Sequence, residues 1–259
     1  MIDVNVSIGH WPFRRLPLDD PTKLADMLID HGVIEAWTGS FDALLHEDVS
    51  AINTRLAETC RAGHPGLLVP FGAVNPNLPD WVEDLRRCVE VHQMPGIRLH
   101  PNYHGYSLDD PECVKLLDLA AQRGLIVQIA VKMEDVRTQF PLLRVPDVNL
   151  DPLPGLIGRF PGLRIVLLNA LNAVRGEPLK TLTGTNKVAV EIAMLEGICG
   201  VEHLIDEIGV SPILFGSLAP LFVFESALLK LKESPLTPEQ RRAITLDNAR
   251  RTLRPLLGD

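Results

Sequence analysis

What the chain has little of narrows its class first. It holds four cysteines in 259 residues, Cys60, Cys88, Cys113 and Cys199, and none forms a Cys-x-x-Cys pair. That excludes a disulfide framework and a zinc knuckle, and three of the four fall on predicted helix faces as small buried hydrophobes of a reducing compartment. Positive charge is also short: Lys and Arg number 25 against 33 Asp and Glu, a net charge of −8. Such a surface repels phosphate backbones and anionic lipids, so neither nucleic acid nor membrane is an expected partner. The longest apolar run, 213–224, has 12 residues and is broken by Gly216, Ser217 and Pro220, too short to span a bilayer. With no basic leader or apolar signal core at Met1, the expectation is a soluble, cytoplasmic protein. No Gly-x-Gly-x-x-Gly follows any predicted strand, which argues against a doubly wound dinucleotide fold.

What is present is a rhythm of strand and helix. The opening stretch alternates: Ile2, Val4, Val6 and Ile8 on one face, Asp3, Asn5 and Ser7 on the other. Further apolar strands are predicted to start near residues 33, 67, 96, 125, 163, 187 and 212, with spacings of 24 to 38 residues. Each gap has room for a helix and two loops. Helix starts are marked by Asp20-Pro21, Asp48, Asp110-Pro111 and Thr237-Pro238, with a capping box expected at Asp80-x-x-Glu83. Eight apolar strands of this kind predict an α/β fold, a (β/α)8 TIM barrel forming a single domain over residues 1–259.

In such a barrel the chemistry sits at the carboxyl ends of the strands. The fourth strand is richest there. Arg98 and His100 share a face, and the next loop supplies Asn102, Tyr103, His104 and Tyr106, including both tyrosines of the chain. Arginine offers a planar fork for a carboxylate, and histidine moves protons near neutral pH. Gln128 and Lys132 end the fifth strand, Asn169 the sixth, Glu191 lies in the seventh and Ser217 follows the eighth. An ionisable residue inside an apolar strand needs a partner, and for Glu191 the sequence offers Lys187, Arg98 or a substrate. The loop Trp11-Pro12-Phe13-Arg14 and the stretch Leu221-Phe222-Val223-Phe224 are expected either to cap the mouth or to form a subunit interface in a homo-oligomer.

Five stretches carry a family resemblance: 2–7, Gly96-Ile97-Arg98-Leu99-His100-Pro101, Pro161-Gly162-Leu163-Arg164-Ile165-Val166-Leu167, Ile213-Leu214-Phe215-Gly216-Ser217 and Asp247-Asn248-Ala249-Arg250-Arg251. In this order the chain resembles the amidohydrolase superfamily, in its amidohydrolase-related group of metal-dependent barrel hydrolases and decarboxylases. The resemblance implies metal ligands at five positions, and this chain has Asn5, Ser7, Ala130, Asn169 and Leu218 there. Amides, hydroxyls and alkyl groups are poor zinc donors, so no metal or other cofactor is expected. His10, His100 and His104 are the residues from which a different centre could in principle be built, the less favoured reading because no carboxylate sits beside them in sequence. The expectation is therefore a metal-independent hydrolase of a small carboxylate-bearing lactone, ester or amide, similar to the superfamily's metal-free lactonase branch. Catalysis would fall to His100 as base, Arg98 as carboxylate holder and Asn169, with Asn5, Gln128 or Lys132 donating to an oxyanion. Substrate contacts would include Asn5, Ser7, His10, Arg14, Asn102, Tyr103, His104, Gln128, Lys132, Glu191 and Ser217. The alternatives are a silent barrel that binds a small ligand or partner, and a metal enzyme with unusual ligands.

Overall fold

The computed structural model describes residues 1–253. Eight strands lie side by side in chain order, every neighbouring pair parallel. They are β1 Ile2–Ile8, β2 Glu35–Ser40, β3 Leu68–Ala73, β4 Gly96–Leu99, β5 Ile126–Ala130, β6 Arg164–Leu168, β7 Val188–Glu191 and β8 Ile213–Leu214. The ring closes between its ends: Val4 N–H donates to Phe215 O at 3.0 Å and Ser7 N–H to Ala219 O at 2.9 Å. This is the (β/α)8 barrel that the strand spacing predicts, and each strand begins within two residues of its predicted start.

Helices fill the gaps. They are α1 Pro21–Asp30, α2 Val49–Ala62, α3 Trp81–Glu90, the single turn α4 Pro101–His104, α5 Pro111–Gln122, α6 Leu153–Arg159, α7 Glu177–Thr183, α8 Gly200–Ile208 and α9 Phe224–Glu233. The chain then runs through α10 Pro238–Arg242, a π-helical turn at Ala243–Asp247 and α11 Asn248–Leu253. Strand residues that face the helices, among them Ile97, Leu99, Val127, Ile129, Ile165 and Leu167, build the main core with Leu24, Leu85, Leu116 and Leu204. A second cluster of Ile2, Val4, Trp37, Phe71, Ile126, Val166 and Leu214 fills the ring itself. Burial of these side chains drives the fold, at about 25 cal/mol per Å² of apolar surface. Cys60, Cys88 and Cys113 are buried and sit on α2, α3 and α5, as their helix positions predict.

Three local expectations need correcting. The alternation in β1 is broken, because the register with β2 shifts between Asp3 and Val6. Asp3 there accepts the N–H of Asn5 at 3.0 Å, and beyond that kink Val6 and Ile8 pack outward while Ile2 and Val4 pack inside the ring. His100 is not the last residue of β4 but the residue that caps α4. The capping box at Asp80 does not form, since its φ/ψ of −101°/20° leaves the carboxylate without a bond to the helix. Asp20, by contrast, accepts from the N–H groups of Thr22 and Lys23 at the start of α1. Asp20→Ala is therefore expected to cost about 1 kcal/mol in urea denaturation. Asp80→Ala should stay within about 0.5 kcal/mol of the parent.

Candidate functional site

The polar residues of the strand ends are brought together, but deeper in the ring than a rim site would lie. Asp3, Asn5, Ser7, Arg98, His100, Gln128, Asn169, Glu191 and Ser217 are each at most 3% exposed. Arg98 is the hub. Its Nε donates to Gln128 Oε1 at 2.8 Å, Nη1 to Val6 O at 2.9 Å and to Ser7 Oγ at 3.0 Å, and Nη2 to Trp37 O at 3.0 Å. Four of the guanidinium's five N–H groups are thus committed to β1, β2 and β5. Gln128 passes the chain of bonds on, donating to Val4 O at 2.7 Å. Gly39 makes room for the guanidinium: a Cβ there would lie 2.7 Å from Arg98 Nη1. For the expected role of holding a substrate carboxylate, Arg98 has one of its five N–H groups left.

The carboxylates are held just as closely. Asp3 accepts from the backbone N–H and hydroxyl of Ser217. Glu191 accepts from the N–H of Asn169 and of Ala193 and from the Asn5 amide at 3.2 Å. Neither of the partners read from sequence is bonded to it; Lys187 donates to Ile157 O instead. Burial pushes both acids up to about 6, against the hydrogen bonds that favour the charged form. Burial likewise pulls Arg98 down to about 10, still charged at neutral pH.

At the five positions where the resemblance implies metal ligands, the residues present do not fit a metal. The Asn5 amide donates to Asn169 Oδ1 at 2.8 Å, and the Asn169 amide donates to Lys132 O at 2.7 Å. Ser7 serves Arg98. Ala130 and Leu218 belong to an apolar layer, with Leu218 held in the left-handed region at φ 59°, which a bulky side chain rarely adopts. Among the described residues, no three His, Cys, Asp or Glu side chains are grouped to hold a metal ion. The alternative centre from three histidines is also separated: His10 lies on the surface, 3.6 Å from Asp19, away from buried His100.

The apolar layer closes the mouth. Trp11 and Leu16 come from the loop after β1, Phe41 and Leu44 from the turn after β2, and Met133 from the loop after β5. Met194 follows β7, and Leu218 and Leu221 follow β8. All are buried. The two sequence stretches expected to cap the mouth contribute Trp11 and Leu221, with Phe13 and Phe222 packed against them. Above this layer the charged candidates are paired off: Arg14 with Glu134, and Lys132 with Asp147 at 2.8 Å. Asn102 donates to the carbonyls of Val131 and Pro146, tying α4 to the loop after β5, and Tyr103 packs partly against the layer. The oxyanion donors expected from Asn5, Asn169, Gln128 and Lys132 are all engaged in these bonds.

Four buried polar atoms on β4's following loop and the β1 loop have no partner among the described residues: His100 Nδ1, His104 Nδ1, Tyr106 Oη and Trp11 Nε1. The two imidazoles lie 6.0 Å apart, centroid to centroid, nearly perpendicular. Burial, with the neighbouring His104 and Arg98, holds His100 well below the usual histidine range, so it is neutral at pH 7. His104 is lowered too, chiefly by burial, and its Nε2 lies 2.8 Å from Ala43 O. A carbonyl only accepts, so that nitrogen carries the proton and Nδ1 is a bare lone pair. The sequence places Asp3 on the polar face of β1 and Trp11 in the loop expected to cap the mouth, without singling out either as a site residue.

The comparisons agree with this architecture. The family model described as Amidohydrolase matches residues 12–254. Among solved structures, 5-carboxyvanillate decarboxylase from Sphingomonas paucimobilis superimposes with a TM-score of 0.77 at 14% identity, covering 98% of this chain and 99% of that one. 2,6-Dihydroxybenzoate decarboxylase from Rhizobium gives 0.75 at 16% identity and 97% of both chains. A dihydroxybenzoic acid decarboxylase from a Polaromonas species, with bound manganese, gives 0.74 at 16%, covering 97% and 96%. These likenesses concern the fold. No curated protein matches the sequence.

Two outcomes test the network. Gly39→Ala should destabilise the protein by about 1–3 kcal/mol, by forcing Arg98 aside. Gly63→Ala, where a Cβ meets nothing within 4 Å, is the control in the same denaturation series. For pH, the folded state retains protons on Asp3 that the unfolded chain releases, because burial raises the folded pKa to about 6 from the ordinary 3.8. The acid's contribution to stability therefore falls as pH rises through that window and is flat above it. The stability difference between wild type and Asp3→Asn should shrink or change sign in favour of the variant from pH 4 to 6. A difference independent of pH would show that the carboxyl is not perturbed.

Proposed function

The chain belongs to the amidohydrolase family, and from that membership we propose that it hydrolyses a small ester or lactone without a metal, His100 acting as general base. The observation that carries this reading is His100 itself. It is the residue after β4, at the catalytic end of the barrel, neutral and with no partner for its buried Nδ1, while the polar groups below it are bonded to one another. An unpaired buried polar group costs about 1–3 kcal/mol, which selection tolerates best where the group has chemical work. A neutral imidazole takes the proton of an attacking water as the new C–O bond forms at the acyl carbon. It then returns that proton to the departing oxygen as the old C–O bond breaks. The buried arrangement requires the apolar layer to part for substrate and to close over it, which excludes bulk water during the reaction.

A second reading is favoured by the completeness of the network around Arg98 and Glu191: a barrel without turnover that binds a small ligand at the same mouth. The experiment that divides the two is a turnover screen of esters and lactones with wild type and His100→Ala. The hydrolase reading expects a rate lowered by roughly 10²-fold or more in the variant, with substrate KM little changed. Equal rates would remove His100 from the chemistry, and ligand-raised Tm without any turnover would favour the binding protein.

A further inference from the structure

We infer that the face of the barrel opposite the mouth carries a second binding site, which takes a small phosphate monoester. This site is independent of the hydrolase reading. The amino ends of β6, β7 and β8 and the helix α11 enclose a cavity of about 380 Å³ there, within the size range of small-molecule sites. Three cations line it. Arg164 opens β6, Lys187 immediately precedes β7, and Arg251 comes from α11. Among the described residues, no Asp or Glu lines the cavity. In a chain of net charge −8 this is a local reversal of sign. A concave surface lined by one sign of charge concentrates ions of the other.

The donors are held in place without being used up. Lys187 Nζ donates to Ile157 O at 3.2 Å, one of its three N–H groups. Arg251 Nη2 donates to Ser211 O at 2.6 Å, to Ser211 Oγ at 2.9 Å and to Asn248 Oδ1 at 3.0 Å. Its Nε and Nη1 have no acceptor among the described residues. These partners are carbonyls, a hydroxyl and an amide, so they fix the two side chains and leave both charges without a carboxylate. Arg164 is 8% exposed, and its Nη1 donates to Thr252 O at 2.6 Å, which ties β6 to α11. Arginine forks match phosphate oxygens, and three cations call for more than the single charge of a carboxylate. A phosphate monoester carries about −1.5 to −2 at pH 7. The cavity has room for more than the phosphate group, and Ile165, Val188, Ala189 and Pro212 give it an apolar wall for the organic part.

The test titrates three probes, phenyl phosphate, inorganic phosphate and benzoate, into the full chain by calorimetry at constant ionic strength and neutral pH. Phenyl phosphate should bind at least about tenfold more tightly than benzoate, equivalent to about 1.4 kcal/mol. It should also bind severalfold more tightly than inorganic phosphate, which lacks the organic part. Lys187→Met and Arg251→Met should each weaken phenyl phosphate by about tenfold, the loss of one hydrogen bond to a charged group. Arg55→Met, which removes an exposed cation on α2 outside the cavity, should leave the affinity unchanged. His100→Ala, at the opposite face, should bind phenyl phosphate as the parent does. Circular dichroism and Tm check that the variants are folded, and the order of the three probes on the parent protein stands without them. Failure of phenyl phosphate to bind overturns the inference, as does benzoate or inorganic phosphate binding equally well. So does an affinity unchanged in folded Lys187→Met and Arg251→Met, or lost in His100→Ala, which would put the ligand at the mouth.

Discussion

A guanidinium sealed inside a ring of strands dictates most of what surrounds it. Arg98 stays charged at neutral pH although burial lowers it to about 10, and a buried charge must be met on every side. It is met by Val6 O and Ser7 on β1, Trp37 O on β2 and Gln128 on β5. One side chain on β4 thus ties together four of the eight strands. Gly39 is required because its Cβ would occupy the guanidinium's space, and Gly216 likewise because its Cβ would lie 2.6 Å from Glu191 Oε2. Removing one partner from such an arrangement leaves a charge uncompensated, at a cost of about 3–5 kcal/mol. The close approach of the backbone at both glycines is therefore part of the same constraint.

The same network runs through three of the five positions where the resemblance implies metal ligands. Amide and hydroxyl side chains at 5, 7 and 169 bond to one another, to Glu191 and to Arg98, so the space between them is crossed by hydrogen bonds. The remaining two positions, Ala130 and Leu218, join the apolar layer, which lowers the dielectric above the network and raises the acids beneath it. Polar floor and apolar roof form one device. Unpaired atoms remain nearby at His100, His104, Tyr106 and Trp11.

The ring was legible from sequence because its signals are local. Apolar strands with helix-sized gaps and Asp-Pro starts need no knowledge of the partner strand, and their onsets agree with the structure to within two residues. The register shift in β1 was not legible, since it depends on Asp3 meeting both Asn5 and Ser217, 214 residues apart in the latter case. Glu191 misled for a related reason: its partners are backbone N–H groups, which carry no signature in the side-chain sequence. Arg98 and His100 were found together as candidates, yet one is a strut and the other stands free. Only the count of bonds around each separates them. Asp80 and Asp20 read alike as caps, and a φ/ψ difference at a single residue decides between them.

The proposal that this chain works without a metal, hydrogen bonds spanning the positions where the resemblance implies ligands, is tested most directly by metal analysis. Untagged protein is incubated with manganese and zinc, freed of excess by gel filtration, and its metal content and Tm are measured before and after a chelator. The network predicts substoichiometric metal and a Tm that the chelator does not move. Stoichiometric manganese or zinc, retained through filtration and stripped with a fall in Tm, would contradict it.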